Sequence, residues 1–211
     1  MKYRTLGSTS LSVSEIGFGG EWVDGTLEET RAVVDACVKG GINILDCWMP
    51  DPTRRSNLGD ALQGVRDKWT IQGHLGSTWQ EGQYVRTRDM TQVKPAFEDL
   101  LNRFHTDYMD IGMIHFVDKV AEYEEILAGE FMAYTRELLT AGTIRHIGLS
   151  THNPTVARLA VDNPEIEVVM FSINPAFDLL PASENIDDLF SDYDETLQGM
   201  DPERAELYAQ A

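Results

Sequence analysis

The sequence predicts an α/β fold of the (β/α)8 TIM-barrel type, incomplete, with about six β/α units. Three observations lead there. Short apolar runs alternate with amphipathic stretches along the chain. No Gly-x-Gly-x-x-Gly dinucleotide fingerprint follows the first run, which ends GFGGEW. Asp46, His74, His115 and Ser150 each fall at or just past the C-terminal end of a different apolar run. An open doubly wound sheet that binds a dinucleotide needs the glycine fingerprint, whereas barrel enzymes assemble their sites on the C-terminal rim of the strands.

Each element has its own signal. VSEIGFGG (13–20) is the expected first strand. TLEETRAVVDACVKGG (26–41) opens with Thr26 and Glu29 in capping-box register and carries Leu27, Val33, Val34 and Cys37 on one face. It ends at Gly40-Gly41, so it is a helix. INILDC (42–47) is a short, nearly unbroken apolar run, the mark of a strand covered on both faces. The alternation continues with SNLGDALQGVRD helical, KWTIQGHL extended, MTQVKPAFEDLLNRF helical and YMDIGMIHF extended. YEEILAGEFMAYTRELLTAG is helical, TIRHIGLST extended, TVARLAVD helical and EIEVVMFSIN extended. In DPERAELYAQA, Asp201 as N-cap and Pro202 at the first helical position announce a last helix. Residues 1–177 form the expected barrel portion. Residues 178–211 form an acidic excursion and the start of a further helix in the same domain.

Composition narrows the function classes. The 211 residues are 42% hydrophobic and 25% charged, enough for one sizeable core. A formal net charge of −18 repels a phosphate backbone or an anionic membrane, which excludes nucleic acid and membrane as partners. Much of that charge is local: Asp178, Glu184, Asp187, Asp188, Asp192, Asp194, Glu195, Asp201, Glu203 and Glu206 face only Arg204, the pattern of a solvated segment. The N-terminus lacks the basic start and apolar run of a secretory signal, so a cytoplasmic protein is expected. Cys37 and Cys47 fit no metal spacing and read as reduced thiols.

Four segments together resemble the aldo-keto reductases, NAD(P)-dependent barrel oxidoreductases, over nearly the whole chain. They are YRTLGSTSLSVSEIGFGGEW, NILD followed by LGDAL, TDYMDIGMIHFVD, and GTIRHIGLSTHN. The resemblance implies hydride transfer between a nicotinamide cofactor, NADP or NAD, and a small carbonyl or alcohol. Family members surround the carbonyl with an aspartate, a tyrosine, a lysine and a histidine. Asp46 matches the aspartate and His115 the histidine, while His74 stands in the lysine position. The tyrosine position falls on Asp51, so the tetrad is altered. By the same carry-over Gly20, Ser150, Thr151 and Asn174 are the expected cofactor contacts, and Trp22 and Trp48 the expected substrate-pocket residues. Met170 stands where a glutamine is usual. Beside His74 and His115 as proton donors, Tyr84, in EGQYVRTRD after His74, is a further candidate, although a tyrosine on a loop is expected to pack or to face solvent.

The MP.P loop at Met49, Pro50 and Pro52 and the GHLGSTW segment resemble those of a variant subgroup. Its members often continue into a cysteine-rich ferredoxin-like end carrying an iron–sulfur cluster, and none is expected in this chain. With about six units of a barrel that needs eight strands, the chain resembles a C-terminally shortened member. The open edges at the first and sixth strands would then be covered by the tail, by a homo-oligomer or another partner, or not at all. Two other classes fit the same residues. Asp46, His74, His115 and His152 are types that hold a divalent metal, and altered catalytic positions also suit a non-catalytic nucleotide-binding or interaction protein.

Overall fold

The computed structural model describes residues 1–190 and 199–211. Asp192, Asp194 and Glu195 of the acidic excursion lie outside the described residues. The chain opens with a two-stranded antiparallel hairpin, β1 (Tyr3–Thr5) and β2 (Ser12–Ser14), and then enters the main sheet at β3 (Phe18–Gly19). Next come α1 (Leu27–Gly40), β4 (Ile44–Cys47), α2 (Pro52–Leu62) and β5 (Thr70–Leu75). A second hairpin, β6 (Ser77–Gln80) and β7 (Gln83–Arg86), precedes α3 (Met90–Arg103) and β8 (Met109–Ile114). The chain continues with α4 (Val120–Ala128), α5 (Glu130–Ala141), β9 (Ile144–Thr151), α6 (Pro154–Val161), β10 (Val168–Phe171) and α7 (Pro202–Gln210).

Among the described residues, six strands form one sheet in the order β10-β9-β8-β5-β4-β3, every neighbouring pair parallel. Sequential strands are therefore spatial neighbours with helical crossovers, which is an incomplete (β/α)8 barrel. Helices cover one face, and the main core lies between them and the sheet: Leu45, Ile71, Leu75, Ile114 and Leu149 meet Val34, Leu58, Phe97 and Leu100. On the other face Ile111, Met113 and Val168 form a smaller cluster with Leu6 and Leu11 of the N-terminal hairpin. The hairpin thus fills the N-terminal end of the curled sheet and leaves the C-terminal end open.

Local chemistry sets the element ends. Thr26 and Glu29 close the expected capping box on α1, and Gly41, in the left-handed region at φ +81°, ends the helix by donating to the Cys37 and Val38 carbonyls. Asp201 caps α7 as expected. Among the expected strands and helices, three differ from the sequence expectation. VSEIGFGG is not one strand: the Ser14 hydroxyl donates to the Ile16 carbonyl (2.7 Å) and Asn43 Oδ1 holds the Ser14 amide (2.7 Å), so the chain turns and only Phe18–Gly19 joins the sheet. The long helix after His115 breaks at Gly129, whose extended backbone (φ −102°, ψ −174°) separates α4 from α5. The helix read as beginning at Ser56 starts earlier, because Asp51 Oδ1 accepts from the Arg54 amide (2.9 Å) with Pro52 at the first position.

Cys37 and Cys47 are free thiols. Burial pushes the Cys47 thiol up to about 12, opposed by Arg55, so it is inert at neutral pH.

The LGDAL segment has a packing reason for its glycine. A Cβ on Gly59 would lie 1.9 Å from the Arg103 carbonyl oxygen and 2.8 Å from Phe104 Cα, both backbone atoms at the end of α3. Gly59→Ala must push α2 away from α3, and we expect it to cost at least about 3 kcal/mol in a urea melt. A loss under about 1 kcal/mol would mean the two helices are not held at this separation.

Candidate active site

Parallel register brings the polar rim residues together. Asp46 lies opposite Gln72 on β5, His74 opposite Met113 on β8, and Ile114 opposite Leu149 on β9. The residues that follow, His115 and Ser150, therefore meet at one end of the sheet beside His74. The His115 amide donates to the Leu75 carbonyl (3.0 Å), which extends the ladder one residue past β8.

The side chains then form a line. Asp46 Oδ1 accepts from Gln72 Nε2 (2.9 Å) and lies 2.8 Å from His74 Nε2. His74 Nδ1 is 2.8 Å from His115 Nδ1, and His115 Nε2 is 2.7 Å from the Tyr84 hydroxyl. Both imidazoles are buried, at 3% and 6% exposure, and Trp48 stacks on the His115 ring at 5.8 Å between centroids. Burial first, and after it the neighbouring His74, Arg88, Arg86 and His152, pushes His115 well below the usual histidine range. Burial also raises the Tyr84 phenol, against the opposing charges of Arg86 and Arg88.

A cavity of about 300 Å³ opens over this line. Trp48, His74, Tyr84, His115, Ser150 and Phe171 contribute to its wall. Asp46 sits behind His74, outside the wall. Ser150 Oγ accepts from the Phe116 amide (2.7 Å), and its own proton goes to no described residue, so it can donate to a ligand amide or carbonyl. Thr151 also lines the cavity, but its hydroxyl donates to Asp118 Oδ1 (3.0 Å) and accepts from the Asn153 amide (3.0 Å).

Three expected contacts lie elsewhere. Gly20 is buried against Leu58 and Leu45, its amide donating to the Asp46 carbonyl (2.9 Å), so it packs beneath the rim. Trp22 is 73% exposed, with the Arg54 guanidinium over its ring (5.7 Å to the centroid). Asn174 is exposed and caps a turn, its Oδ1 accepting from the Ala176 amide (2.8 Å). His152 points to Asp118 (3.0 Å). Among the described residues no group of three or more His, Cys, Asp or Glu side chains is placed to hold a metal ion. His74 spends its two ring nitrogens on Asp46 Oδ1 and His115 Nδ1, and His115 spends its Nε2 on Tyr84.

Tyr84 was the residue sequence reasoning misplaced, because its segment is not a loop. β6 and β7 pair with Trp79 opposite Tyr84, joined by Glu81 (φ +50°) and Gly82 (φ +81°), a two-residue turn with both residues left-handed. STWQ and QYVR flanking a residue-plus-glycine pair were the available signal. After Tyr84, Arg86 donates to the Phe116 carbonyl (2.8 Å) and Arg88 to the His115 carbonyl (2.6 Å), pinning the hairpin across the rim.

A curled parallel sheet with its titratable groups gathered on the C-terminal rim is the organisation of barrel enzymes. Among these, the aldo/keto reductase family model matches residues 15–188, and the chain belongs to that family. It is 28% identical over 188 residues to the uncharacterized oxidoreductase YqkF of Bacillus subtilis, covering 86% of this chain and 58% of that protein. It is 28% identical over 160 residues to aldo-keto reductase YhdN of the same organism, covering 71% and 47%. The holo form of aldo-keto reductase AKR11C1 from Bacillus halodurans superposes with a TM-score of 0.71 at 27% identity, over 82% of this chain and 58% of that one. The chain thus spans about half to three fifths of the length of these relatives.

The depressed His115 has a consequence for stability. The unfolded chain binds a proton there at about 6.5 that the folded chain refuses, so this contribution is intact above that pH and is lost as pH falls below it, with a limiting slope of about 1.4 kcal/mol per unit. Urea melts of the parent and His115→Gln between pH 7.5 and 5.0 should show the steeper loss in the parent. Parallel curves would place the acid-sensitive proton elsewhere.

Proposed function

We propose that the chain is a nicotinamide-dependent oxidoreductase of small carbonyls or alcohols, with Asp46, His74 and His115 forming its acid–base group. The observation that carries this reading is the hydrogen-bonded row of Asp46, His74 and His115 ending at a cavity on the C-terminal rim, in a chain of the aldo/keto reductase family. A bound reduced nicotinamide would supply hydride to a carbonyl carbon. Ser150, with its unspent hydroxyl proton, suits the carboxamide of such a ring, and Thr151 contributes wall. Trp48, Phe116 and Phe171 give the space beside it an apolar wall, which strengthens polar contacts made there. The developing alkoxide needs a proton, and the rim offers titratable groups linked to Asp46 for that purpose. The nicotinamide cofactor is NADP or NAD.

Titration of the purified chain with NADPH and with NADH, followed by cofactor fluorescence, should give saturable binding that Ser150→Ala weakens several-fold. Turnover should then appear with a panel of small aldehydes and ketones. Binding without turnover across the panel would favour the non-catalytic nucleotide-binding reading, and absence of binding to either dinucleotide would overturn the proposal.

A further inference from the structure

The position that the tetrad gives to tyrosine is held by Asp51, whose carboxylate is committed to capping α2. A phenol nevertheless reaches the same rim from another element. Tyr84 projects from the β6–β7 hairpin, lines the cavity, stands edge-on to Trp48 (5.1 Å between centroids) and touches His115 Nε2 at 2.7 Å. We infer that Tyr84 is the proton-donating residue of the site, and that His115 and His74 act as a two-imidazole relay linking it to Asp46. This inference rests on the oxidoreductase reading above.

Counting donors and acceptors along the row, with His115 kept neutral by its burial, fixes two consistent states. In the resting state Tyr84 O–H donates to His115 Nε2, His115 Nδ1–H donates to His74 Nδ1, and His74 Nε2–H donates to the Asp46 carboxylate. Each contact has one donor and one acceptor. In the loaded state one further proton is present. His74 then carries both ring protons, His115 holds its single proton on Nε2 toward the Tyr84 oxygen, and the phenolic O–H turns into the cavity. These contacts are also matched one donor to one acceptor.

Reduction converts the loaded state into the resting one. As the carbonyl carbon accepts hydride, the C–O π pair moves to oxygen, and that oxygen takes the Tyr84 proton. The phenol oxygen takes the proton from His115 Nε2, and His115 Nδ1 takes the proton from His74 Nδ1. The carbonyl becomes an alcohol, the nicotinamide is oxidised, and one proton has left the row, to be restored from water once product departs. The replacement proton matters because burial makes Tyr84 a weak acid, and His115 is neutral at pH 7 and so free to accept on one nitrogen while giving up from the other. The charged and titratable groups facing this pair are His74 from β5, Arg86 and Arg88 from the hairpin, and His152 after β9. Of these, Arg88 is a positioning residue: it ties the His115 carbonyl (2.6 Å) and Glu122 (2.9 Å) to the base of the hairpin.

The test compares the full chain with Tyr84→Phe, using NADPH as reductant with an unactivated aldehyde and with an electron-poor quinone. The quinone forms a stabilised hydroquinone anion and needs little acid help. Loss of the donor should lower kcat/KM for the aldehyde by about 100-fold or more, leave the quinone rate within about threefold, and leave NADPH affinity unchanged. In [15N]histidine spectra the His115 Nε2 resonance should move in Tyr84→Phe to the position of a nitrogen accepting no hydrogen bond. A parent-like aldehyde rate in Tyr84→Phe would overturn Tyr84 as donor while leaving the oxidoreductase reading standing. Equal losses on aldehyde and quinone would make the residue structural and overturn it too. An unmoved His115 resonance would remove the relay whatever the rates show, and a parent chain that binds neither dinucleotide would sink the oxidoreductase reading and this inference with it.

Discussion

Side chains on a parallel sheet can meet only where register lets them, and here the register from β4 to β9 governs everything at the rim. Asp46 opposite Gln72, His74 opposite Met113 and Ile114 opposite Leu149 set successive strands so that carboxylate, imidazole, imidazole and hydroxyl stand at one end. Because side chains alternate faces, a slip of one residue in β5 would turn His74 toward Leu100 and Phe97 of the helical layer and bury an apolar residue at the site. The apolar face under the helices is therefore what specifies the polar arrangement on the other side. Leu45, Ile71, Leu75 and Ile114 hold register by burial, and the hydrogen-bonded row follows.

The two hairpins complete that arrangement from opposite ends. The N-terminal one inserts Leu6 and Leu11 against Ile111, Met113 and Val168, which gives the non-helical face of the sheet an apolar floor. The second crosses the top and is fastened by Arg86 and Arg88 to the carbonyls of Phe116 and His115, at a point where Phe116 adopts φ +51°. A non-glycine residue in the left-handed region presents its carbonyl away from the strand direction, and two guanidinium groups secure it. Floor, rim and cover are thus made from different parts of the chain, and the cavity lies between them.

Most of the architecture was legible in the sequence because it rests on local signals. The capping box at Thr26, the apolar runs at residues 42–47 and 108–116, and Asp201 with Pro202 all fold as read. So did the convergence of Asp46, His74 and His115, since strand-end position carries that information. What was not legible depended on weak or competing local chemistry. Ser14 and Asn43 bend the first segment through side-chain bonds 29 residues apart, which no window of sequence displays. Gly129 ends one helix without a proline or a polar cap to announce it. Gly20, Trp22 and Asn174 came from a family correspondence, and the local packing of each directs it elsewhere: beneath Leu58, under Arg54 and into a turn.

A histidine at position 74 gives the Asp46 carboxylate a different partner from the lysine that the family resemblance implies there. An ammonium group has donors only; it can polarise a neighbour but cannot accept one proton while releasing another. An imidazole has two nitrogens on opposite sides of one ring, so His74 can bond to Asp46 through Nε2 and exchange a proton with His115 through Nδ1. A second imidazole repeats the operation and carries the line toward the cavity. A phenol at the end of such a line need not be acidified by a permanent cation, as long as its proton is replaced while it leaves. In the relay we propose, a histidine at position 74 and a phenol from the hairpin are chemically linked: a lysine there would leave His115 Nδ1 facing a fixed donor, and the row beyond it could hold a proton but not pass one on.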